Sequence, residues 1–89
     1  MEKFRKKPVE IEAIQYNGIN QADIAAFTQG LAKFRQIGHT RYIIIPTLEG
    51  DHRADVGDWI IKGVKNEFYP CKPDIFEMTY ESIEEGSLS

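Results

Sequence analysis

A single cysteine, Cys71, stands in 89 residues, so an internal disulfide is excluded. Secreted proteins of this size are commonly stapled by several bridges, and a reducing compartment is therefore the expected setting. Histidine is nearly as scarce. His39 and His52 lie thirteen positions apart with no cysteine beside either, so no zinc-ligand spacing exists. No run approaches the ~20 apolar residues that a membrane span needs. The N-terminal MEKFRKKPVEIEA is basic but lacks a following apolar stretch, so a secretory signal is not expected. The glycines are scattered, and neither a Walker loop nor a dinucleotide fingerprint is present. These absences lead to an expectation of a cytosolic protein with no metal, no cofactor and no membrane partner.

What is present is an ordinary folding composition, 42% hydrophobic and 28% charged. One α+β domain over residues 1–83 is expected, with 84–89 too poor in apolar side chains to order itself. A chain this short buries only about 60–65% of its unfolded surface, a limit that a homo-oligomer would relieve. A homo-oligomer is the expected state. The net charge of −3 is unevenly spread. Lys3, Arg5, Lys6 and Lys7 crowd the start, while Asp74, Glu77, Glu81, Glu84 and Glu85 crowd the end. Four basic residues on a net acidic chain make a weak electrostatic footprint, so a nucleic-acid partner is not expected.

Val9 to Tyr16 opens with strict alternation, Val9, Ile11 and Ala13 against Glu10 and Glu12, which predicts a half-buried strand. The phase slips at Ile14 and Tyr16, which points to a bulge or a doubly covered strand end. A main helix is predicted from about residue 20 to 29. Asn20 suits the N-cap, Asp23 the first turn, and Ile19 with Ile24 the spacing of a hydrophobic staple. Ile24, Phe27 and Leu31 then form one stripe, and Gly30 suits the C′ position. Lys33–Ile37 and Arg41–Gly50 read as strands, the latter with Pro46 at an edge or bulge. His52–Asp55 runs back as a short strand. Trp59–Lys62 and Glu67–Cys71 make a hairpin around Gly63-Val64-Lys65-Asn66, and Pro73 suits the first position of a short helix. The resulting fold expectation is a small, mostly antiparallel sheet of four to six strands packed against one main helix, with a short C-terminal helix.

Chemistry is sparse. Glu49, Asp51, Asp55 and Asp58 could cup a hard cation, but the run matches no calcium loop, and Asp beside Gly is turn chemistry. Cys71 next to Lys72 could in principle be activated, yet lone cysteines are usually small buried hydrophobes. No enzyme motif is present, and a non-enzyme is expected. The hairpin and the helix after it collect Trp59, Phe68, Tyr69, Phe76 and Tyr80, interleaved with Lys62, Lys65 and Lys72. Aromatic faces stack on rings, and ammonium groups attract phosphate. In so small a domain the same aromatics also serve as core. Trp59 and Ile61 share one face of their strand and Ile60 and Lys62 the other, so both faces need a cover.

The segments KFRKKPVEIEAIQY, TLEG and GDWIIKGVKNEFYPCKPDIFEMTYE resemble a family of small bacteriophage- and prophage-encoded proteins. The likeness covers both ends and the third quarter of the chain. It departs at Asn66, where glycine is expected in the hairpin loop; asparagine also tolerates positive φ. The resemblance carries no settled activity. It implies a phage accessory protein acting in a bacterial host cytoplasm, a setting in which small proteins sequester nucleotide signals or plug host machinery, sometimes against host defence. The leading expectation is capture of a small anionic or nucleotide-like ligand by Trp59, Tyr69, Lys62, Lys65, Lys72 and Arg41. A module that inhibits or recruits a host or phage protein is the alternative, followed by a virion accessory role.

Overall fold

The computed structural model describes residues 2–3 and 10–81. The expectations for Arg5, Lys6, Lys7, Val9, Ile83 and the tail at 84–89 lie outside them. The described elements run β1 (Glu12–Gln15), α1 (Gln21–Phe27), β2 (Lys33–Ile37), β3 (Thr40–Thr47), β4 (Gly50–Asp55), β5 (Trp59–Lys62), β6 (Phe68–Cys71) and α2 (Pro73–Thr79).

The six strands form two sheets of three. One has the order β1-β5-β6, the other β2-β3-β4, and every pairing is antiparallel. This corrects the expectation of a single sheet on one main helix. The reason lies in the pairing of β1, which crosses to β5 in the register Ala13 to Ile61 and leaves β2, β3 and β4 as a separate meander. The two sheets bury their faces largely against each other. Ile43, Ile45 and Ala54 from one meet Ile60 and Phe68 from the other in a common core, with Tyr16, Ile24 and Ala32. Cα atoms of β6 approach those of β3 and β4 within 8 Å, so the sheets close together at that border.

Helix α1 fills one end of this core rather than forming a layer. It is seven residues long and buries only Ile24 fully. Phe27 adds an edge-on contact to Phe68, with ring centroids 5.7 Å apart. Leu31, expected on the same stripe, is 46% exposed because the helix has already ended. Three further details at its ends differ from expectation. Asn20 makes no cap with its side chain. Its Oδ1 accepts from the Asn17 N–H and its Nδ2 donates to the Gln15 carbonyl, tying the turn back to β1. Ile19 is 78% exposed and staples nothing. At the C-terminus Gln29, not Gly30, takes the first left-handed position, with φ 56°. Its N–H donates to the Ala26 carbonyl and the Gly30 N–H to the Ala25 carbonyl, the two bonds of a Schellman motif. Thr28 closes early because its buried hydroxyl donates back to the Ile24 carbonyl and accepts from the Ala32 N–H.

Each expected strand is present, but β1 is shorter than Val9–Tyr16 and β3 ends at Thr47, with Gly50 opening β4. Lys33–Ile37 is β2 at the predicted bounds. Pro46 lies beyond the end of β2, whose pairing to β3 stops at Ile44, so the missing N–H interrupts no ladder there. Ala13 and Ile14 are both half-buried, the doubly covered strand end read from the phase slip. Tyr16 prolongs the pairing: its N–H donates to the Asp58 carbonyl, and its own carbonyl accepts from the Gly57 N–H. Asn66 adopts φ 62° in the β5–β6 loop, the conformation for which glycine is otherwise used.

Candidate functional site

The register of the β5–β6 hairpin decides which of the expected binding residues can meet. Trp59 faces Cys71 and Ile61 faces Tyr69, on the outer side; Ile60 faces Pro70 and Lys62 faces Phe68, on the core side. The outer side is covered from within the chain. Pro73 begins α2, whose Phe76 ring lies on Trp59 at 4.2 Å between centroids and 6° between planes. Tyr80 continues the stack at 5.1 Å from Phe76. Ile61 on this face is left 1% exposed. Burial pushes the Tyr69 hydroxyl up to about 12, and Tyr80 and Glu67 beside it add to the shift. The Trp59 face is thus occupied by the protein's own aromatics.

The lysines do not converge. Lys62 ends β5 opposite Phe68, while Lys72 follows the other end of β6, a separation of about 13 Å along the strands at ~3.3 Å per residue. Lys65 lies exposed in the loop. Lys72 is engaged: its Nζ donates to Asp58 Oδ2 at 2.8 Å and Asp55 Oδ2 at 3.3 Å. Asp58 has a buried side chain, 5% exposed, and its Oδ2 also accepts from the Asp55 N–H, so the lysine neutralises a carboxylate that the turn has already fixed. Arg53 donates to Asp55 Oδ1 at 2.8 Å and lies 4.1 Å over the Tyr42 ring. Hydrogen bonding to Arg53 and then Lys72 outweighs desolvation and holds the Asp55 carboxyl below its usual range. Asp58 and then Asp55 raise Lys72 above its usual value.

Cys71 is half-buried, and burial, with the carboxylates of Asp58 and Asp74, pushes its thiol up. That is the direction opposite to what an activated nucleophile needs. Among the described residues, no three of His, Cys, Asp and Glu are placed to hold a metal ion. Glu49 and Asp51 sit at one end of β4, Asp55 and Asp58 at the other. Among the described residues, no helix is long and apolar enough to cross a membrane.

Arg41 lies apart from the hairpin, at the start of β3, and borders a different feature. A hollow of about 270 Å³ is lined by Tyr16, Gln21, Phe34, Arg35, Gln36 and Arg41. The β2–β3 hairpin builds one side of it, turning at Gly38 with φ 59° and placing Gln36 directly opposite Arg41. The β1–α1 connection builds the other. Arg41 Nη1 and Gln21 Nε2 both donate to the carbonyl of Gly18, at 2.8 and 3.1 Å. Gly18 takes φ 90°, and a Cβ there would meet Val56 at 3.4 Å, so this anchor depends on glycine. Arg35 Nη1 donates to the Phe34 carbonyl at 3.0 Å. Among the described residues, neither guanidinium has a carboxylate within 4.0 Å, whereas Arg53 and Lys72 both do.

Of the six expected binding residues, only Arg41 lines this basic hollow. Arg35, Gln36, Gln21, Phe34 and Tyr16 were not anticipated. The run RQIGHTR, folded about its glycine, carries the signal for Gln36 and Arg41 on one face; Gln21 and Tyr16 reach the site only through tertiary contact. Comparison with known proteins adds no relative: no family model, curated protein or solved structure matches the chain.

Proposed function

We propose that this protein is a non-enzymatic binding protein that captures a small anionic ligand, and that the hollow at Arg35 and Arg41 receives the ligand's charged group. One observation carries the reading. Arg35 and Arg41, neither with a carboxylate partner among the described residues, both line this hollow, as do Gln21 and Gln36. Arg41 is held by Gly18 through a single N–H, which leaves its other donors for a phosphate or carboxylate. A planar fork matches such oxygens with two parallel bonds. The volume suits the anionic end of a ligand, with the remainder resting along Phe34 at the rim. In the phage setting that the motif resemblance implies, a nucleotide-like signal sequestered from the host is the leading ligand class.

Isothermal calorimetry against inorganic phosphate and a panel of linear and cyclic nucleotides tests this. At least one should bind saturably, and Arg35→Gln should weaken it about tenfold, the loss of roughly 1.4 kcal/mol from a charge-assisted hydrogen bond. Arg41→Ala should weaken it at least as much. An intact, folded protein that gives no heat with any of them would count against the reading.

A further inference from the structure

Helix α2 has no buried residue of its own, and none of its side chains belongs to the common core. Yet it covers the outer face of the β5–β6 hairpin, where Ile61 is left 1% exposed. A short set of contacts holds it there. Phe76 lies flat on Trp59, Tyr80 lies against Phe76, and Tyr80 also sits beside the Tyr69 hydroxyl. The other side of the helix faces water, with Ile75 50% and Met78 81% exposed beside the exposed Asp74 and Glu77.

Three features make this cover separable from what it covers. The first is a hinge. Lys72, just before α2, is extended with ψ 146°, and its ammonium is fixed to Asp58 and Asp55. Those bonds involve no residue of α2, so they survive its departure and set where an opening stops. Pro73 has no N–H, so its own backbone donates nothing across the hinge. The second is that the hairpin is held without the helix. Strand β5 is paired on both edges, to β1 and to β6, and Ile60 and Phe68 reach the core at 0% and 4% exposure. The third is length. Seven residues fall well below the ~12–15 at which an isolated helix becomes even marginal in water. Once the aromatic contacts part, the turns of α2 dissolve together, in one cooperative step.

We propose that α2 is a detachable strap, which leaves the hairpin as a unit, hinged after Lys72, while both sheets stay folded. Closed, this side of the molecule presents Asp74 and Glu77 with Ile75 and Met78. Open, it presents Trp59, Ile61, Tyr69 and Cys71, which share the outer face of the hairpin. The strap therefore selects between an acidic surface and an aromatic one. The inference rests on the hairpin and α2 alone and is independent of the Arg35–Arg41 hollow.

Native-state amide exchange, followed by NMR on the full chain at rising urea below the unfolding midpoint, tests it. The Phe76 and Tyr80 amides donate to the Lys72 and Phe76 carbonyls. They should exchange about tenfold or more faster than the amides of β3 and β5, with one shared and shallow urea slope, the mark of a small opening. Met78→Pro interrupts α2 at an exposed position without touching the core, and should leave the strap open. Trp59, the only tryptophan, reports that state. Acrylamide quenching of its fluorescence should rise about twofold in Met78→Pro as the face under Phe76 meets solvent, while the amide shifts of β2, β3 and β4 stay native. Exchange of the α2 amides only together with β3, loss of β5 and β6 protection together with α2, global unfolding of Met78→Pro, or unchanged Trp59 quenching in it would each overturn the proposal.

Discussion

The two three-stranded sheets of this protein bury the same inner face but treat their outer faces differently. In the β1-β5-β6 sheet, Ile60 and Ile61 are both essentially inaccessible, at 0% and 1% exposure, because the core covers one side and α2 the other. In the β2-β3-β4 sheet, Ile43 is fully buried but its neighbour Ile44 is only half-buried. That outer face is dressed with Arg53 over Tyr42 and an ion pair to Asp55 instead of a helix. The difference teaches how a short chain spends its apolar residues. A hairpin that is apolar on both sides can be satisfied by the few aromatics of one short helix, Phe76 and Tyr80, without a second copy or ligand on that face. The sheet without such a helix carries the basic hollow at its β2–β3 end.

The sharpest way to break this contrast is to remove neighbouring isoleucines in each sheet. Ile60→Ala and Ile61→Ala should each destabilise by roughly 2–4 kcal/mol, as buried large-to-small changes do. Ile43→Ala should match them, while Ile44→Ala should cost about 1 kcal/mol or less, because less surface leaves water. Urea unfolding midpoints at constant slope would check the series. An Ile44→Ala loss equal to that of Ile61→Ala would erase the distinction between the sheets.

A smaller effect probes the ion cluster that joins them. Lys72, after β6, holds Asp58 and Asp55, at the end of β4. Lys72→Met should cost about 1–2 kcal/mol near neutral pH, since Asp58 is left buried with fewer donors. The pH dependence follows from the shifts. Asp55 is depressed on folding, so its contribution is present above its ordinary value of 3.8 and is lost as pH falls through the lower folded value. Lys72 is raised, so its contribution is complete below its ordinary value of 10.5 and is lost as pH climbs through the higher folded value. Both groups are substantially exposed, so solvent screening keeps each change small. Denaturation midpoints followed into acid and alkali should show a plateau between these limits, and Lys72→Met should remove the alkaline fall attributable to this group.

The smallest change concerns helix α1, at one end of the core. Gln29 pays a left-handed conformation that glycine adopts freely, so Gln29→Gly should raise stability by up to about 1 kcal/mol. Thermal unfolding would measure it, and a loss of stability would mean that unfolded-chain entropy outweighs the relief of strain.

The sequence by itself determined the local pieces. Alternation marked β1, a run of β-branched residues marked β3, the Gly63–Asn66 loop and its flanking β-formers marked the β5–β6 hairpin, and Pro73 marked the start of α2. These follow from backbone preferences within a few residues, which act wherever the segment goes. The end of α1 was readable only to within a turn, because Thr28 closes the helix with a hydroxyl that another context would leave free. The tertiary structure alone decided that six strands make two sheets, since periodicity fixes which face a residue shows and not which strand lies beside it. It also decided the sites. Lys72 looked free for a ligand until the fold brought Asp58 to it across 14 positions, and Arg41 gained its hollow when Gly18 met it across 23. Charges are legible in a sequence, but whether each is neutralised depends on neighbours within a few ångströms, and those are supplied only by the completed fold.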